Sequence, residues 1–217
     1  MTHSRANPST RYTELVGIYK ELHEKGDKRN DIAPEHTFDG RSLIAHVNTI
    51  TQAVVRYELR SLLDYGCGKA VVYDLAQAKA RDGRKLRGLR EIWGIDDIRL
   101  FDPGYAPFSE PPTGTYDGVI CTDVLEHCPE EDIDWIIEDL FGFARKFLFM
   151  TIACYPAEKA LPTGENAHVT QKNPAWWLDH IDAVAATRPQ VEYIAYLTLR
   201  DKRQMVVQGS GPAGKSS

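Results

Sequence analysis

The chain has 217 residues, of which 42% are apolar and 26% charged, and it carries a formal net charge of −5. That balance is the composition of one soluble globular domain with a substantial core, and its acidic sign argues against a dedicated nucleic-acid binder. No apolar run approaches the roughly 18 residues of a membrane helix, and Met1 to Arg11 lacks a signal-peptide core. A cytoplasmic protein is expected, with no membrane partner. Cys67, Cys121, Cys128 and Cys154 show no C-x-x-C spacing, so neither a disulfide framework nor a metal centre is expected.

Residues 1–59 are expected to form an N-terminal helical cap, 60–208 the core, and 209–217 a flexible tail. Tyr12, Leu15, Val16, Tyr19 and Leu22 recur at helical spacing, with Ser9 or Thr10 as N-cap and Gly26 as stop. A polar loop follows. Asp39 can cap a second helix, whose Leu43, Val47, Ile50 and Val54 make one apolar stripe. Leu62-Leu63-Asp64-Tyr65 reads as a short strand entering a turn with Gly66 and Gly68, glycines that let backbone approach a ligand closely. An acid at the strand end suits a ligand with an ammonium group better than one with a pyrophosphate. Lys69 to Val72 fails to complete the G-x-G-x-x-G dinucleotide fingerprint.

Val71 to Ala80 reads as a helix. Lys79 to Arg90 holds six basic residues, which either touch phosphate or form a solvated face. Ile98 to Phe101 is a second strand, ending in Asp102-Pro103-Gly104, and Tyr116 to Thr122 a third, ending in Asp123. Only 14 residues separate Asp102 from Asp117, four of them prolines. A further strand with its crossover does not fit there. Glu130 to Ala144 is a helix with Pro129 near its start. Lys146 to Ile152 is a buried strand and Pro174 to Ala185 a helix. Val191 to Leu199 with Gln204 to Val207 forms a closing hairpin. The expected fold is α/β: a three-layer sandwich with a mostly parallel, Rossmann-like sheet ending in an antiparallel hairpin.

Asp64-Tyr65-Gly66-Cys67-Gly68-Lys69-Ala70 resembles motif I of the class I S-adenosylmethionine-dependent methyltransferases, with Ala70 where the family usually has a third glycine. Asp102 resembles the family's ribose-binding carboxylate, and Tyr116 to His127 its fourth strand and following loop. The resemblance covers roughly Arg60 to Thr151. It implies S-adenosyl-L-methionine as cofactor, held by Asp64, Gly66, Cys67, Gly68, Asp102, Pro103 and Asp123, with the family's third strand missing or displaced. Adenine contacts would then fall to Tyr105 or Phe108. Cys67 itself reads as a small filler beneath the cofactor.

His168, in a polar loop after the Lys146 to Ile152 strand, and His127, after the Tyr116 to Thr122 strand, are the candidate catalytic bases. Each also has a plain structural reading, as does Glu126 as a loop anchor. Tyr155, Asn166 and Trp176 are candidate substrate contacts, one of the tryptophans Trp176 and Trp177 lining a pocket and the other anchoring its helix. The resemblance implies methyl transfer to a small-molecule acceptor. The alternatives are intramolecular ring closure of the cofactor releasing methylthioadenosine, a non-catalytic cofactor binder, and an RNA methyltransferase using Lys79 to Arg90. The oligomeric state is not legible.

Overall fold

The computed structural model describes residues 3–80 and 83–210. The predicted tail lies outside them from residue 211 onward. Helix α1 (Thr10–Lys25) starts where Ser9 accepts the Tyr12 N–H and stops at Gly26, φ +77°, so the predicted cap and stop both hold. The second helix is split. Arg41–His46 winds as a 3-10 turn, with the Arg41 N–H on Asp39 Oδ1 at 3.1 Å, and only α2 (Val47–Arg56) is α-helical.

Strand β1 (Ser61–Tyr65) is buried throughout. The predicted helix over Val71 to Ala80 is a single turn, α3 (Val72–Leu75). It is followed by a small antiparallel hairpin of β2 (Gln77–Lys79) and β3 (Lys85–Arg87). Alanine-rich sequence favours helix, but Gly83 and Gly88 hold φ of +88° and +76°. A Cβ on Gly88 would lie 2.5 Å from the Tyr73 carbonyl. The turn thus closes against its own preceding helix, and tertiary packing overrides propensity.

Next come α4 (Gly88–Trp93), β4 (Asp97–Phe101), β5 (Tyr116–Thr122), α5 (Ile133–Phe143), β6 (Ala144–Ala153) and α6 (Pro174–Ala185). β7 (Glu192–Thr198) and β8 (Gln204–Ser210) complete the sheet. β8 runs into the first two residues of the predicted tail. The sheet order is β4-β1-β5-β6-β7-β8, with every pairing parallel except β7–β8. Between β4 and β5 the described chain has a 3-10 turn at Ala106–Phe108 and no strand, as the residue count required. β4 is therefore an edge.

β5 and β6 are continuous apolar runs because helices cover both faces. Ile133, Ile136, Ile137, Leu140 and Phe141 of α5 pack with Trp177 and Ile181 of α6 on one face. Ile50 and Val54 of α2, Tyr73 of α3 and Trp93 of α4 cover the other. The crossover from β1 to β4 runs over one face and that from β5 to β6 over the other. The switch between them falls at neighbouring β1 and β5, and a crevice beyond the carboxyl ends of the strands opens there.

Candidate functional site

A cavity of about 460 Å³ occupies that crevice. Three successive strand ends supply its acids: Asp64 from β1, Asp102 from β4 and Asp123 from β5, and all three line it. Gly66, Cys67, Gly68 and Pro103 line it too. The structure therefore brings together all seven residues expected to hold the cofactor's methionyl and ribose parts, though not the two aromatic residues expected at its adenine.

The glycines are sterically required. Gly66 and Gly68 have φ of +78° and +57°, and a Cβ on either would collide, with the Val124 side chain and the Phe38 carbonyl respectively. Ala70, at the third position of the motif, has φ +52°, a conformation that costs a Cβ-bearing residue energy. Burial pushes the Cys67 thiol well above the usual range, with Asp64 and Asp102 adding to it. The side chain is thus a filler, not a thiolate nucleophile.

Asp64 is 3% exposed. Its Oδ2 accepts from Tyr73 Oη at 2.9 Å, and its Oδ1 is buried with no partner. Burial raises its pKa to about 7, with Asp102 adding to that and the Tyr73 bond opposing it. Asp102 is clamped instead. Its Oδ2 accepts the Gly68 N–H at 2.9 Å and its Oδ1 the Gly104 N–H at 2.8 Å. Burial still raises its pKa, against those backbone bonds. Asp123, exposed at the mouth with φ +55°, accepts from Thr151 Oγ1 at 2.7 Å.

The roof went unread in the sequence. Tyr12, Leu15, Tyr19 and His23 of α1, with Phe38 from the following loop, line the cavity. Lys69 fastens that roof to the glycine turn, its Nζ donating to His23 Nδ1 and O, both at 3.1 Å, and to Thr37 Oγ1 at 3.0 Å. Burial, and then the Lys69 charge, hold His23 down at about 4. The α1 periodicity showed an apolar face but not what that face covers. Lys159 also lines the cavity, from a loop with no motif signal.

His127 lines the cavity and His168 does not. The Nδ1 of His127 lies 2.8 Å from both Ala167 O and Tyr19 Oη. Burial, and then the neighbouring His168, keep its pKa near 4. The Nδ1 of His168 lies 2.5 Å from Tyr155 O, and the two imidazoles meet edge to face at 5.0 Å. Glu126 anchors the loop as expected, its Oε1 accepting the Ala153 N–H at 2.9 Å.

Tyr155, Asn166 and Trp176 also lie off the cavity wall. Asn166 braces its own loop, accepting from Ala157 N and His168 N and donating to Ala157 O. Trp176 packs at a tilt on His180, ring centroids 4.0 Å apart, and Trp177 is fully buried. Tyr155 sits against Lys202 Nζ, 4.5 Å from its ring. Tyr105 and Phe108 pack on each other at 5.5 Å, and Tyr105 lies tilted against His23 at 4.9 Å; neither lines the cavity. In the basic stretch, Arg84 pairs with Glu91 at 2.9 Å and Arg90 bonds the Ile98 carbonyl at 3.0 Å. Residues 81 and 82 of that stretch are outside the described residues.

No protein-family model and no curated protein matches the sequence. Among solved structures, the chain is similar to an O-methyltransferase family protein from Burkholderia thailandensis. That likeness has 13% identity and a TM-score of 0.46, over 94% of this chain and 68% of the other. Among the described residues no helix is long and apolar enough to cross a membrane.

Proposed function

We propose that the chain is an S-adenosylmethionine-dependent methyltransferase acting on a small-molecule acceptor. One observation carries this reading: Asp64 Oδ1 is buried and without a partner beside a glycine turn that tolerates no Cβ. A buried carboxylate oxygen lacking a donor is costly, and a ligand ammonium group supplies one. Asp102 keeps lone pairs beyond the two backbone bonds it accepts, enough to receive ribose hydroxyls. Asp123 stands exposed at the mouth.

When bound, this cofactor supplies a methyl group already activated by a positive sulfur. The chain's own contribution is placement. The α1 roof excludes water, the acids orient the cofactor, and alignment with a bound nucleophile supplies much of the rate. The cavity volume is in the range of small-ligand sites, and the net negative charge supports a small acceptor over a nucleic acid.

The test is calorimetry with S-adenosylhomocysteine, followed by mass spectrometry of incubations with S-adenosylmethionine. Saturable binding, with S-adenosylhomocysteine formed only when an acceptor is present, is expected. Methylthioadenosine formed without acceptor would instead indicate ring closure, and no binding at millimolar ligand would end the reading.

A further inference from the structure

Beside the cavity, Glu126 and His127 on the turn after β5 meet His168 from the loop after β6. One ligand atom from each lies within 4.8 Å of those of the other two. Three independent features mark this as more than a chance cluster. Glu126 is 0% exposed, and while its Oε1 takes the Ala153 N–H, its Oε2 is buried with no partner. The His127 Nδ1 faces the Ala167 carbonyl and the His168 Nδ1 faces the Tyr155 carbonyl. A carbonyl only accepts, so Nδ1 of each uncharged ring carries the proton, the Tyr19 hydroxyl 2.8 Å from the His127 Nδ1 accepting there too, and the lone pair lies on Nε2. Anchoring one imidazole nitrogen on a backbone carbonyl is how proteins fix the other as a metal ligand.

We propose that Glu126, His127 and His168 form a binding site for a divalent transition-metal ion, with two imidazole nitrogens and one carboxylate oxygen as ligands. Imidazole donors favour zinc, iron or cobalt over calcium or magnesium, whose sites are built from oxygen. Three protein ligands leave coordination positions free for water or for a bound molecule. Because His127 also lines the cavity, the ion would sit in its wall. Cysteine spacing gives no sign of this site, because its ligands come from two loops, with Glu126 and His168 far apart along the chain. The site stands independently of the cofactor, so its test needs none.

The experiment uses tag-free full-length chain stripped by chelator. It is titrated with Zn²⁺ by calorimetry and with Co²⁺ by visible absorption. Saturable, stoichiometric binding is expected, weakened about tenfold or more in Glu126→Gln and in His168→Gln. His180→Ala, which alters an imidazole held instead by Asp134 at 2.6 Å, should bind as the parent does. No saturable binding by the parent, or undiminished binding by both ligand variants, would overturn the proposal. Should those variants misfold, imidazole nitrogen resonances of the parent decide it. Two rings shifting on zinc addition would uphold the site, and none shifting would refute it.

Discussion

Tyr73 Oη donates to Asp64 Oδ2 at 2.9 Å from beneath the glycine turn, while Asp64 Oδ1 has no donor at all. The carboxylate, one of the cavity's lining groups, is half-served. Tyr73→Phe should leave both oxygens bare and cost about 1–3 kcal/mol of stability. An unchanged melting temperature would show that the bond contributes nothing.

The pH behaviour follows from the same carboxyl. Burial raises Asp64 from an ordinary 3.8 to about 7, so the folded chain holds this proton more tightly than the unfolded chain. Its contribution to stability is complete below about pH 4 and fades as pH climbs toward 7. A ligand ammonium prefers the ionised form, so S-adenosylhomocysteine should bind more tightly as pH rises through this window and then level off. Melting curves and calorimetry across the window test both halves. Asp64→Asn should flatten the binding trend and remove only part of the stability trend, since burial also raises Glu126 to about 8; a binding slope surviving in that variant would assign it to another group.

Asp102 holds the turn from the other side. Asp102→Ala removes the acceptor of the Gly68 and Gly104 N–H groups, and should weaken S-adenosylhomocysteine binding by about 1–3 kcal/mol. Asp102→Asn keeps an acceptor oxygen and should lose less. Equal losses in calorimetry would mean that charge, not the backbone clamp, is what matters.

At Gly68 the backbone is left-handed and its Cα faces the Phe38 carbonyl. Gly68→Ala must move backbone, since no flexible side chain is there to give way. A destabilisation of about 1–3 kcal/mol is expected, along with weaker S-adenosylhomocysteine binding. A crystal structure of this variant with an undisturbed turn would contradict the steric argument.

The roof depends on a remote anchor. Asp132 is 0% exposed and accepts from Ser9 N at 3.0 Å, Ser9 Oγ at 2.5 Å and Trp135 Nε1 at 2.7 Å. It thereby ties the start of α1 to the start of α5. Asp132→Ala strands these donors and should cost about 1.5–3 kcal/mol. Ligand affinity should fall as well, because α1 covers the cavity. Hydrogen exchange of the α1 amides would report the loosening, and unaltered protection would rule it out.

Much of this molecule was legible because its signals are local. Ser9 and Gly26 bound α1 through bonds within one turn of the helix. The strand-end acids Asp64, Asp102 and Asp123 were readable as apolar runs broken by turn residues. The closing hairpin was readable from two short β-rich segments, and the missing strand from four prolines in too few residues.

What the sequence determined by itself, then, was the alternation of elements and the identity of the acids at the carboxyl edge. Both follow from hydrogen bonds and steric limits spanning a few residues. Tertiary structure alone decided the rest. It placed α1 over the cavity, folded Gln77 to Arg87 into a hairpin, left Asn166 and Trp176 off the cavity wall, and drew His168 beside Glu126 and His127. In each case the deciding partner lies far along the chain, where periodicity and propensity carry no information about what a side chain will meet.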